Sequence, residues 1–233
     1  MNILITGATK GIGKSIAVEL QKYHNIFATG RHPDALKGFD NYCIADLTDD
    51  NDIIKLSAFI ESNNIDVLIN NAGEYIYSNS ESYNFDDIEH LIKLNLTAPL
   101  MLISKSIQHM KSQRFGRIIN IGSISGVMGE AGASVYSASK AGLIGATKAL
   151  ALELAEYGIT VNTINPGWVE TELGNVSVNE SGFTKDEIVG CIPQKRFISP
   201  SEIAEMIKYL ISDSAKGVTG QSINLCAGLS VGY

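Results

Sequence analysis

Short apolar runs alternate with longer stretches of helical periodicity along the 233-residue chain. The first run, residues 2–6, is almost continuously apolar, which is typical of a strand buried on both faces of a parallel sheet. The strand candidates are 2–6, 25–30, 42–45, 65–70, 117–122, 159–165 and 222–226. The helical stretches lie near 12–23, 50–62, 86–112, 134–157 and 200–212. This alternation predicts right-handed βαβ units, and hence an α/β fold with one doubly wound parallel sheet of about seven strands between two helical layers.

Two helix ends carry clear local signals. The run Ser199-Pro200-Ser201-Glu202 has an N-cap serine, a proline at the first helical position and a capping glutamate. Gly158 follows the 134–157 stretch, as expected of a glycine that ends a helix. These signals predict a helix start at residue 200 and a helix end near residue 157.

The stretch 174–198 has small and polar residues without clear periodicity. A loop of that length is uncommon in a compact domain unless it is functional or mobile, and we interpret it as a substrate lid. A tolerated surface insertion is the alternative. Because no linker, repeat or low-complexity segment is visible, we expect a single domain over 1–233.

Composition and charge exclude several function classes. The formal net charge is −7 without a basic run, which argues against a nucleic-acid partner. No apolar run approaches the ~20 residues of a membrane span, so no membrane partner is expected. The cysteines (Cys43, Cys191, Cys226) and the four histidines lack the spacing of a metal site, so no metal is expected. The first strand starts at residue 2, and a cytoplasmic location is the expectation.

Tyr136 and Lys140 stand four residues apart in a helical stretch, with Ser123 upstream. Residues at i and i+4 are neighbours on a helix surface. A nearby ammonium favours the phenolate, so it should lower the pKa of the tyrosine toward the working range. Ser123 could then hold a carbonyl or alcohol oxygen where the phenol can exchange a proton with it. The alternative is an ordinary surface pair on an amphipathic helix.

A glycine-rich turn joins the first strand to the first helical stretch, with glycines at 7, 11 and 13. Strand, glycine turn and helix form the context of a dinucleotide-binding site, because the backbone can pass close to a pyrophosphate at the helix N-terminus. The spacing is G-x-x-x-G-x-G rather than the common G-x-G-x-x-G. The turn could also be only a tight connection between strand and helix.

Taken together, these motifs resemble the short-chain dehydrogenase/reductase family over nearly the whole chain. The matching positions are the turn Thr6 to Gly13, Asn70-Asn71-Ala72-Gly73, Asn95, Ser123, Tyr136, Lys140, Pro166-Gly167 and Thr171. Five motifs in the family's order and spacing form a specific signal. The resemblance implies a Rossmann-like fold and an enzyme that acts on a CH–OH/C=O pair. Within the family the chain is most similar to the 3-oxoacyl-[acyl-carrier-protein] reductase group.

The resemblance also assigns roles to single residues. Tyr136 would transfer the proton, Lys140 would lower its pKa and bind the nicotinamide ribose, and Ser123 would orient the substrate oxygen. Asn95 would hold a water that links Lys140 to solvent, although an asparagine can also satisfy backbone groups of its helix. The hydride would come from the cofactor, while the protein supplies orientation and proton transfer.

The cofactor contacts implied by the resemblance come from several segments. Asp46 would accept from the adenine amino group at the end of the third strand, or else it is only a helix cap or a turn residue. Val169 would contact the carboxamide through its backbone, and Thr171 would bind a phosphate or the amide. The full predicted set is Gly7, Thr9, Lys10, Gly11, Ile12, Gly13, Arg31, Asp46, Leu47, Asn71, Ala72, Gly73, Tyr136, Lys140, Pro166, Gly167, Val169 and Thr171.

The end of the second strand indicates the cofactor. NAD-preferring folds place an acidic residue there for the ribose 2′-OH, whereas this chain has Gly30 followed by Arg31. Lys10 adds a second cation in the glycine turn. Two cations and no carboxylate favour a 2′-phosphate, so we predict NADP(H) rather than NAD(H). The alternative is that Arg31 is a solvated surface residue.

Three functions compete at this stage. The first is an NADPH-dependent reductase of a carbonyl, such as a 3-oxoacyl thioester or a polyketide ketone. The second is a dehydrogenase of another secondary alcohol, and the third is a nucleotide sensor or scaffold without catalysis. The C-terminal run Asn224 to Leu229 departs from the Asp-Gly-Gly ending of many relatives. Apolar residues on more than one face of the 86–112 and 134–157 helices predict a homotetramer or homodimer.

Overall fold

Seven parallel strands form one sheet in the computed structural model, which describes residues 1–231. The strands are β1 (Asn2–Thr6), β2 (Asn25–Gly30), β3 (Asn41–Ile44), β4 (Val67–Asn70), β5 (Gly116–Ile121), β6 (Ile159–Pro166) and β7 (Ser222–Leu225). Their order across the sheet is β3-β2-β1-β4-β5-β6-β7. The expected fold class, a Rossmann-like doubly wound α/β sheet, is therefore confirmed.

Helices cover both faces of this sheet. They are α1 (Gly11–Leu20), α2 (Pro33–Leu36), α3 (Asp50–Ser62), α4 (Phe85–Ile92), α5 (Ala98–Gln113), α6 (Ser125–Met128), α7 (Ser134–Leu154), α8 (Glu172–Ser181), α9 (Lys185–Cys191) and α10 (Pro200–Leu210). Successive side chains of a strand point to opposite faces. Accordingly, Ile3 and Ile5 pack in the core shared with α1 and α10, whereas Leu4 packs in the core shared with α3, α5 and α7.

The strand order reverses at β1, which pairs with β2 on one side and with β4 on the other. In open parallel sheets, the connections on either side of such a point diverge to opposite faces and leave a crevice at the carboxyl ends of the strands. The predicted glycine turn follows β1 and the Asn70-Asn71-Ala72-Gly73 segment follows β4. Both therefore open into this crevice.

Most predicted elements agree with the structure within two residues at each end. The predicted helix over 86–112 is divided, because a π-helical turn over Lys93–Thr97 separates α4 from α5. The irregular structure expected over 174–198 is wrong for most of that stretch, since it contains most of α8 and all of α9. Its helices are held by caps: Thr171 accepts from the Gly174 amide, and Thr184 forms a capping box with Glu187.

The two predicted helix ends are confirmed. Ser199 and Glu202 form a capping box at the start of α10, with Pro200 at the first position. Gly158 adopts a φ of +71° after a short 3₁₀ turn that extends α7. This left-handed conformation suits glycine, because other residues pay a steric cost there.

The elements described for residues 1–231 include no helix long and apolar enough to cross a membrane. Within the same residues, no cluster of three or more histidine, cysteine, aspartate or glutamate side chains is arranged to hold a metal ion.

Candidate active site

The glycine turn after β1 has a backbone that side chains would obstruct. Gly7 has a φ of +65°, and a Cβ on Gly13 would lie 2.2 Å from the Gly7 carbonyl oxygen. The N-cap residue of α1, Lys10, makes no side-chain hydrogen bond to the first turn of the helix. The first amides of α1 therefore remain available as donors, which is the arrangement that binds a phosphate at a helix N-terminus.

Asn71 attaches the segment after β4 to this turn. Its amide nitrogen Nδ2 donates to the carbonyl oxygens of Thr6 at 2.8 Å and of Gly7 at 3.1 Å. The backbone amides of Asn71 and Ala72 both donate to the Thr6 hydroxyl at 2.9 Å. These bonds fix the two sides of the crevice relative to each other.

The segment after β6 closes the other side of the glycine turn. Thr171 faces the turn, because a Cβ on Gly11 would lie 3.4 Å from its Cγ2 atom. Its hydroxyl already accepts from the Gly174 amide at 3.0 Å as the cap of α8. Val169 forms a parallel bridge with Ile198. Pro166 is the last residue of β6.

Asp46 lies two residues beyond β3 and not at the end of the strand as expected, because β3 stops at Ile44. Its Oδ1 accepts from both the amide and the hydroxyl of Thr48, so it does act as a turn residue. Burial alone would raise the pKa of Asp46. The Thr48 hydrogen bonds and the charges of Arg31 and His90 outweigh burial and lower it.

Arg31 has a carboxylate partner that the sequence reasoning missed. Its Nη2 lies 2.8 Å from Oε1 of Glu74, and the other oxygen of Glu74 lies 2.8 Å from Nε2 of His90. Lys10 likewise lies 3.5 Å from Glu172. No acidic residue stands at the end of β2, as expected, but each of the two cations is paired with a carboxylate from another segment. The sequence offers one indication of this carboxylate, because Glu74 directly follows Gly73, the last residue of the Asn70-Asn71-Ala72-Gly73 segment.

Ser123, Tyr136 and Lys140 are brought together in the protein interior at the carboxyl edge of the sheet. All three side chains are buried, with Tyr136 and Lys140 on α7 and Ser123 just after β5. The Nζ atom of Lys140 lies 5.7 Å from the ring centroid of Tyr136 and donates to the Ile121 carbonyl at 3.0 Å. The alternative of an ordinary surface pair is wrong.

Burial shifts the pKa of both side chains, and for Tyr136 the shift is opposite to the expected lowering. Loss of water raises the pKa of Tyr136 to about 12, although a hydrogen bond with Ser123 opposes the rise. Burial also lowers the pKa of Lys140 to about 8. Sequence spacing placed the ammonium on the same face as the phenol, but the cost of desolvation dominates.

Asn95 lies fully buried in the π-helical turn between α4 and α5. Its Nδ2 donates to the Glu74 carbonyl at 2.9 Å, and its Oδ1 accepts from the Glu74 amide at 3.1 Å. A Cβ on Gly73 would lie 2.9 Å from this Oδ1 and 3.2 Å from Nζ of Lys140. Asn95 therefore serves the segment after β4 and not its own helix, and it lies close to Lys140.

Glu130 lies in the segment 126–132, which the sequence predicts to line the substrate pocket, but its contacts and the positions of Ser125 and Tyr75 were not predicted. Glu130 accepts hydrogen bonds from Ser125 and Tyr75, and the ring of Tyr75 meets that of Tyr136 edge-on at 5.1 Å. The signal available in the sequence was a single carboxylate within the small-residue segment 126–132.

Comparisons with known proteins agree on one family. Residues 1–181 match the family model described as short chain dehydrogenase. The chain is 38% identical to an uncharacterized oxidoreductase, YxjF, of Bacillus subtilis, with 97% of this chain and 96% of that protein covered. It is 37% identical to the 3-oxoacyl-[acyl-carrier-protein] reductase FabG of Buchnera aphidicola, with the same coverage. A crystal structure of a variant actinorhodin polyketide ketoreductase with NADPH superposes with a TM-score of 0.93 at 34% identity, covering 99% of this chain and 97% of that one.

Proposed function

Since the chain belongs to the short-chain dehydrogenase/reductase family, and is thus an NAD(P)-dependent oxidoreductase with a small-molecule substrate, we propose that it uses NADPH to reduce a ketone to a secondary alcohol. The observation that carries this proposal is the buried group of Ser123, Tyr136, Lys140 and Asn95 beside the glycine turn. A nucleotide sensor has no need of this set, and so the third function considered above is not favoured.

The residues present fit a nicotinamide dinucleotide. A Cβ on Gly7 or Gly13 would obstruct the turn, and the first turn of α1 offers free amide donors to a pyrophosphate. The cofactor, when bound, supplies the hydride. In our proposal, the residues that hold it are those expected from the sequence: Gly7, Thr9, Lys10, Gly11, Ile12, Gly13, Arg31, Asp46, Leu47, Asn71, Ala72, Gly73, Tyr136, Lys140, Pro166, Gly167, Val169 and Thr171.

In the proposed mechanism Tyr136 is the acid. With its pKa raised to about 12, the phenol is protonated at neutral pH and can donate to the oxygen of a ketone as hydride reaches the carbon. The alkoxide that forms is a much stronger base than a phenolate, so the proton transfer is downhill. Lys140 supplies a positive charge near the phenolate that remains, and Ser123 holds the reacting oxygen.

Asn95 would complete the proton path in this mechanism. It lies against Gly73 together with Lys140 and could hold a water that returns a proton from solvent through Lys140 to Tyr136. The pKa of Lys140, lowered to about 8 by burial, suits an amine that both gives and receives protons near neutral pH.

For the cofactor we propose NADP(H), with Arg31 as the main ligand of the 2′-phosphate. The Arg31 side chain is about half exposed at the end of β2, and a guanidinium can bind a phosphate with two hydrogen bonds. When a phosphate binds to Arg31, part of the ion pair between Arg31 and Glu74 must be broken. The similar ketoreductase structure was obtained with NADPH.

For the substrate we propose a 3-oxoacyl thioester, in line with the similar 3-oxoacyl-[acyl-carrier-protein] reductases. The second candidate is a polyketide ketone, which the similarity to the actinorhodin ketoreductase supports. The experiment is NADPH oxidation with a panel of ketones and 3-oxoacyl thioesters. Turnover that disappears in Tyr136→Phe supports the proposal, and no turnover with any member refutes it.

We propose that α8 and α9 form the substrate lid within one domain over 1–233. Three apolar side chains of this region are exposed, namely Leu173, Val176 and Phe183. Glu180 of α8 is close enough to Tyr75 to raise the pKa of that phenol. The lid therefore borders the side of the site where Tyr75 meets Tyr136, and it would cover a substrate there.

For assembly we propose a homotetramer, or a homodimer, built on α5 and α7. Of the apolar residues expected to form a second face, four are buried inside the protomer and Leu100 is half-buried, so the set does not supply that face; the buried four are Leu91, Leu94, Leu102 and Ile103. The exposed apolar residues are Met101 on α5 and Leu152 on α7, the latter 85% exposed. Pairing these helices with a second copy would cover them.

A further inference from the structure

We propose that His90 is a positioning residue for the cofactor: acting through Glu74, it strengthens the preference of the site for NADP(H) over NAD(H) when its ring is protonated. This inference deepens the proposed function and rests on it for one point, namely that Arg31 binds the 2′-phosphate. It concerns a histidine that the sequence motifs do not include.

Glu74 lies between Arg31 and His90 and contacts both. Its Oε1 lies 2.8 Å from Nη2 of Arg31, and its Oε2 lies 2.8 Å from Nε2 of His90. The three side chains come from different elements, since Arg31 follows β2, Glu74 follows β4 and His90 lies in the last turn of α4. Each side chain is partly exposed, so solvent protons and a cofactor can both reach the group.

The contact with Glu74 determines which ring nitrogen of His90 takes up a proton. An ionised carboxylate can only accept, so Nε2 must carry a hydrogen and donate it to Glu74. In the neutral ring the free lone pair is then on Nδ1, and protonation there leaves the hydrogen bond to Glu74 in place. Protonation therefore changes the charge beside Glu74 and not the geometry of the contact.

Protonation of His90 changes the balance of charge around Arg31. Arg31 and His90 are both close enough to Asp46 to act on its carboxyl group by their charges, so the group holds two carboxylates and one permanent cation. With a neutral His90 ring the group has an excess negative charge, which opposes a phosphate. With a protonated ring the charges balance and Glu74 is shared between two cations, so less free energy is lost when Arg31 leaves it for a phosphate.

Other titratable groups surround His90. Asp86 and Asp87 lie one turn earlier on its own helix, where residues three or four apart are neighbours. Those on the neighbouring elements, besides the three named above, are Lys93 of the π-helical turn, its partner Asp50 of α3, and Tyr136 and Lys140 of α7. None of these groups is altered in the variants compared below, so their contribution is common to all of them.

The first experiment measures cofactor affinity and needs no substrate. Isothermal titration calorimetry gives Kd for NADP⁺ and for NAD⁺ between about pH 5 and 8, the range in which a histidine ordinarily changes charge. The proteins are wild type, His90→Gln, Glu74→Gln and the double variant. At the acidic end, the ratio of Kd for NAD⁺ to Kd for NADP⁺ should be about 1.4- to 5-fold higher in wild type than in His90→Gln, the worth of an exposed ion pair.

This difference should disappear toward the alkaline end, where the ring is neutral and glutamine is a fair substitute for it. It should also be absent at every pH when Glu74→Gln is compared with the double variant, because the effect of His90 passes through Glu74. A phosphate monoester itself takes up a proton at about pH 6 and then binds more weakly, but that effect is the same in all four proteins.

His109→Gln is the matched control. Nε2 of His109 also contacts a carboxylate, at 3.3 Å from Oδ1 of Asp66, but this pair lies at the opposite edge of the sheet, before β4. Three outcomes would overturn the inference. They are equal Kd ratios in wild type and His90→Gln at every pH, an effect of His90→Gln that persists without Glu74, and an equal effect of His109→Gln. The second would mean that His90 acts by its own charge and not through Glu74.

A second measurement observes His90 directly. Coupling between two ligands is reciprocal, so a proton on His90 that favours NADP⁺ must be bound more tightly when NADP⁺ is present. Protein labelled with ¹³C at the histidine ε1 carbon is titrated by NMR with each cofactor, and His90→Gln identifies the resonance. The midpoint of the His90 titration should lie at higher pH with NADP⁺ than with NAD⁺, by the same factor of about 1.4 to 5 in proton affinity. Equal midpoints overturn the inference.

These measurements separate the inference from the proposed function. If Arg31→Ala leaves the Kd ratio unchanged, the proposed phosphate ligand is wrong and the inference fails with it. If Arg31→Ala lowers the ratio but His90→Gln has no effect, the inference alone fails. If the binding results are as expected and no ketone is reduced, His90 keeps its role and the proposed reaction fails for the substrates tested.

Discussion

The ion pair between Arg31 and Glu74 makes the cofactor preference adjustable in both directions. Arg31 is the proposed ligand of the 2′-phosphate, and Glu74 already holds it at 2.8 Å. Replacing Arg31 by aspartate removes the phosphate ligand and introduces a carboxylate that can accept from the 2′-OH of NADH. Replacing Glu74 by glutamine does the reverse, because it releases the guanidinium and removes a charge that repels the phosphate.

The expected magnitudes follow from the exposure of the pair. The side chains of Arg31 and Glu74 are 48% and 32% exposed, and an ion pair so open to solvent is worth about 0.2–1 kcal/mol. A hydrogen bond to a charged phosphate is worth roughly 1.5–3 kcal/mol. The phosphate therefore wins the competition for Arg31, and wild type should prefer NADPH despite Glu74.

At about 1.4 kcal/mol per factor of ten, these energies give separate expectations for the two variants. Arg31→Asp should lower the NADPH/NADH ratio of kcat/KM by at least about tenfold. Glu74→Gln should raise it by only about 1.4- to 5-fold. Lys10 remains in both variants, paired with Glu172 at 3.5 Å, so a complete reversal of preference is not required.

The assay is steady-state kinetics with both cofactors on wild type and each variant, using the substrate found in the panel. Lys37→Gln, which removes an exposed cation at the C-terminal end of α2, serves as a control for net charge. A wild type that prefers NADH would refute the reasoning. So would an Arg31→Asp variant with an unchanged ratio, since Arg31 would then be only a surface residue.

Three further outcomes are expected. Tyr136→Phe should lose activity by a factor on the order of 10² to 10⁴ while still binding NADPH, and retention of half the wild-type rate would contradict its role as the acid. Lys140→Met should raise the melting temperature of the cofactor-free protein at pH 7. Burial lowers the pKa of Lys140 to about 8, so the unfolded chain binds more protons than the folded protein between pH 8 and about 10.4. The free energy of unfolding of wild type therefore rises with pH in that window, and the stability difference between Lys140→Met and wild type should shrink there. A difference that does not depend on pH would show that burial of the lysine has no desolvation cost. Light scattering at micromolar concentration should show a tetramer that Leu152→Glu weakens, and a wild-type monomer would exclude the proposed assembly.

The fold was readable from the sequence because its signals are local. The apolar run of β1 ends where the glycine turn begins, and its observed bounds, Asn2–Thr6, equal the predicted ones. The start of α10 was equally clear, since serine, proline and glutamate stand at the three positions that define a capped helix start. Such elements are specified by residues within a few positions of one another.

The segment 174–198 shows the limit of hydrophobic periodicity. None of the residues of α8 is buried, so its sequence carries little of the apolar pattern that marks a helix packed on a core. Its neighbour α9 did carry a signal, because Thr184 and Glu187 have the spacing of a capping box. Caps rather than packing identify these helices, and a search for caps would have found the second one.

The proximity of the motif residues was predictable from the sequence, but their electrostatics were not. The motif residues do converge at the carboxyl edge, as a parallel sheet requires. The sign of the pKa shift of Tyr136 was wrong, because spacing along a helix does not reveal how completely a side chain is buried. Glu74 was missed for a related reason: it is 43 positions from Arg31, and only the pairing of β1 with both β2 and β4 brings them together.

The two carboxylates whose contacts were not predicted from the sequence, Glu74 and Glu130, lie in different parts of the site. Glu74 contacts Arg31 where we propose that the cofactor binds, whereas Glu130 accepts from Ser125 and Tyr75 near Tyr136 and its charge adds to the effect of burial in raising the pKa of Tyr136. Because they share no hydrogen-bond partner, their effects should be nearly independent. Glu74→Gln should change the NADPH/NADH ratio without moving the titration of Tyr136, and Glu130→Ala should do the converse. If instead each variant moves both quantities, the cleft behaves as one electrostatic unit and neither glutamate has a separate role.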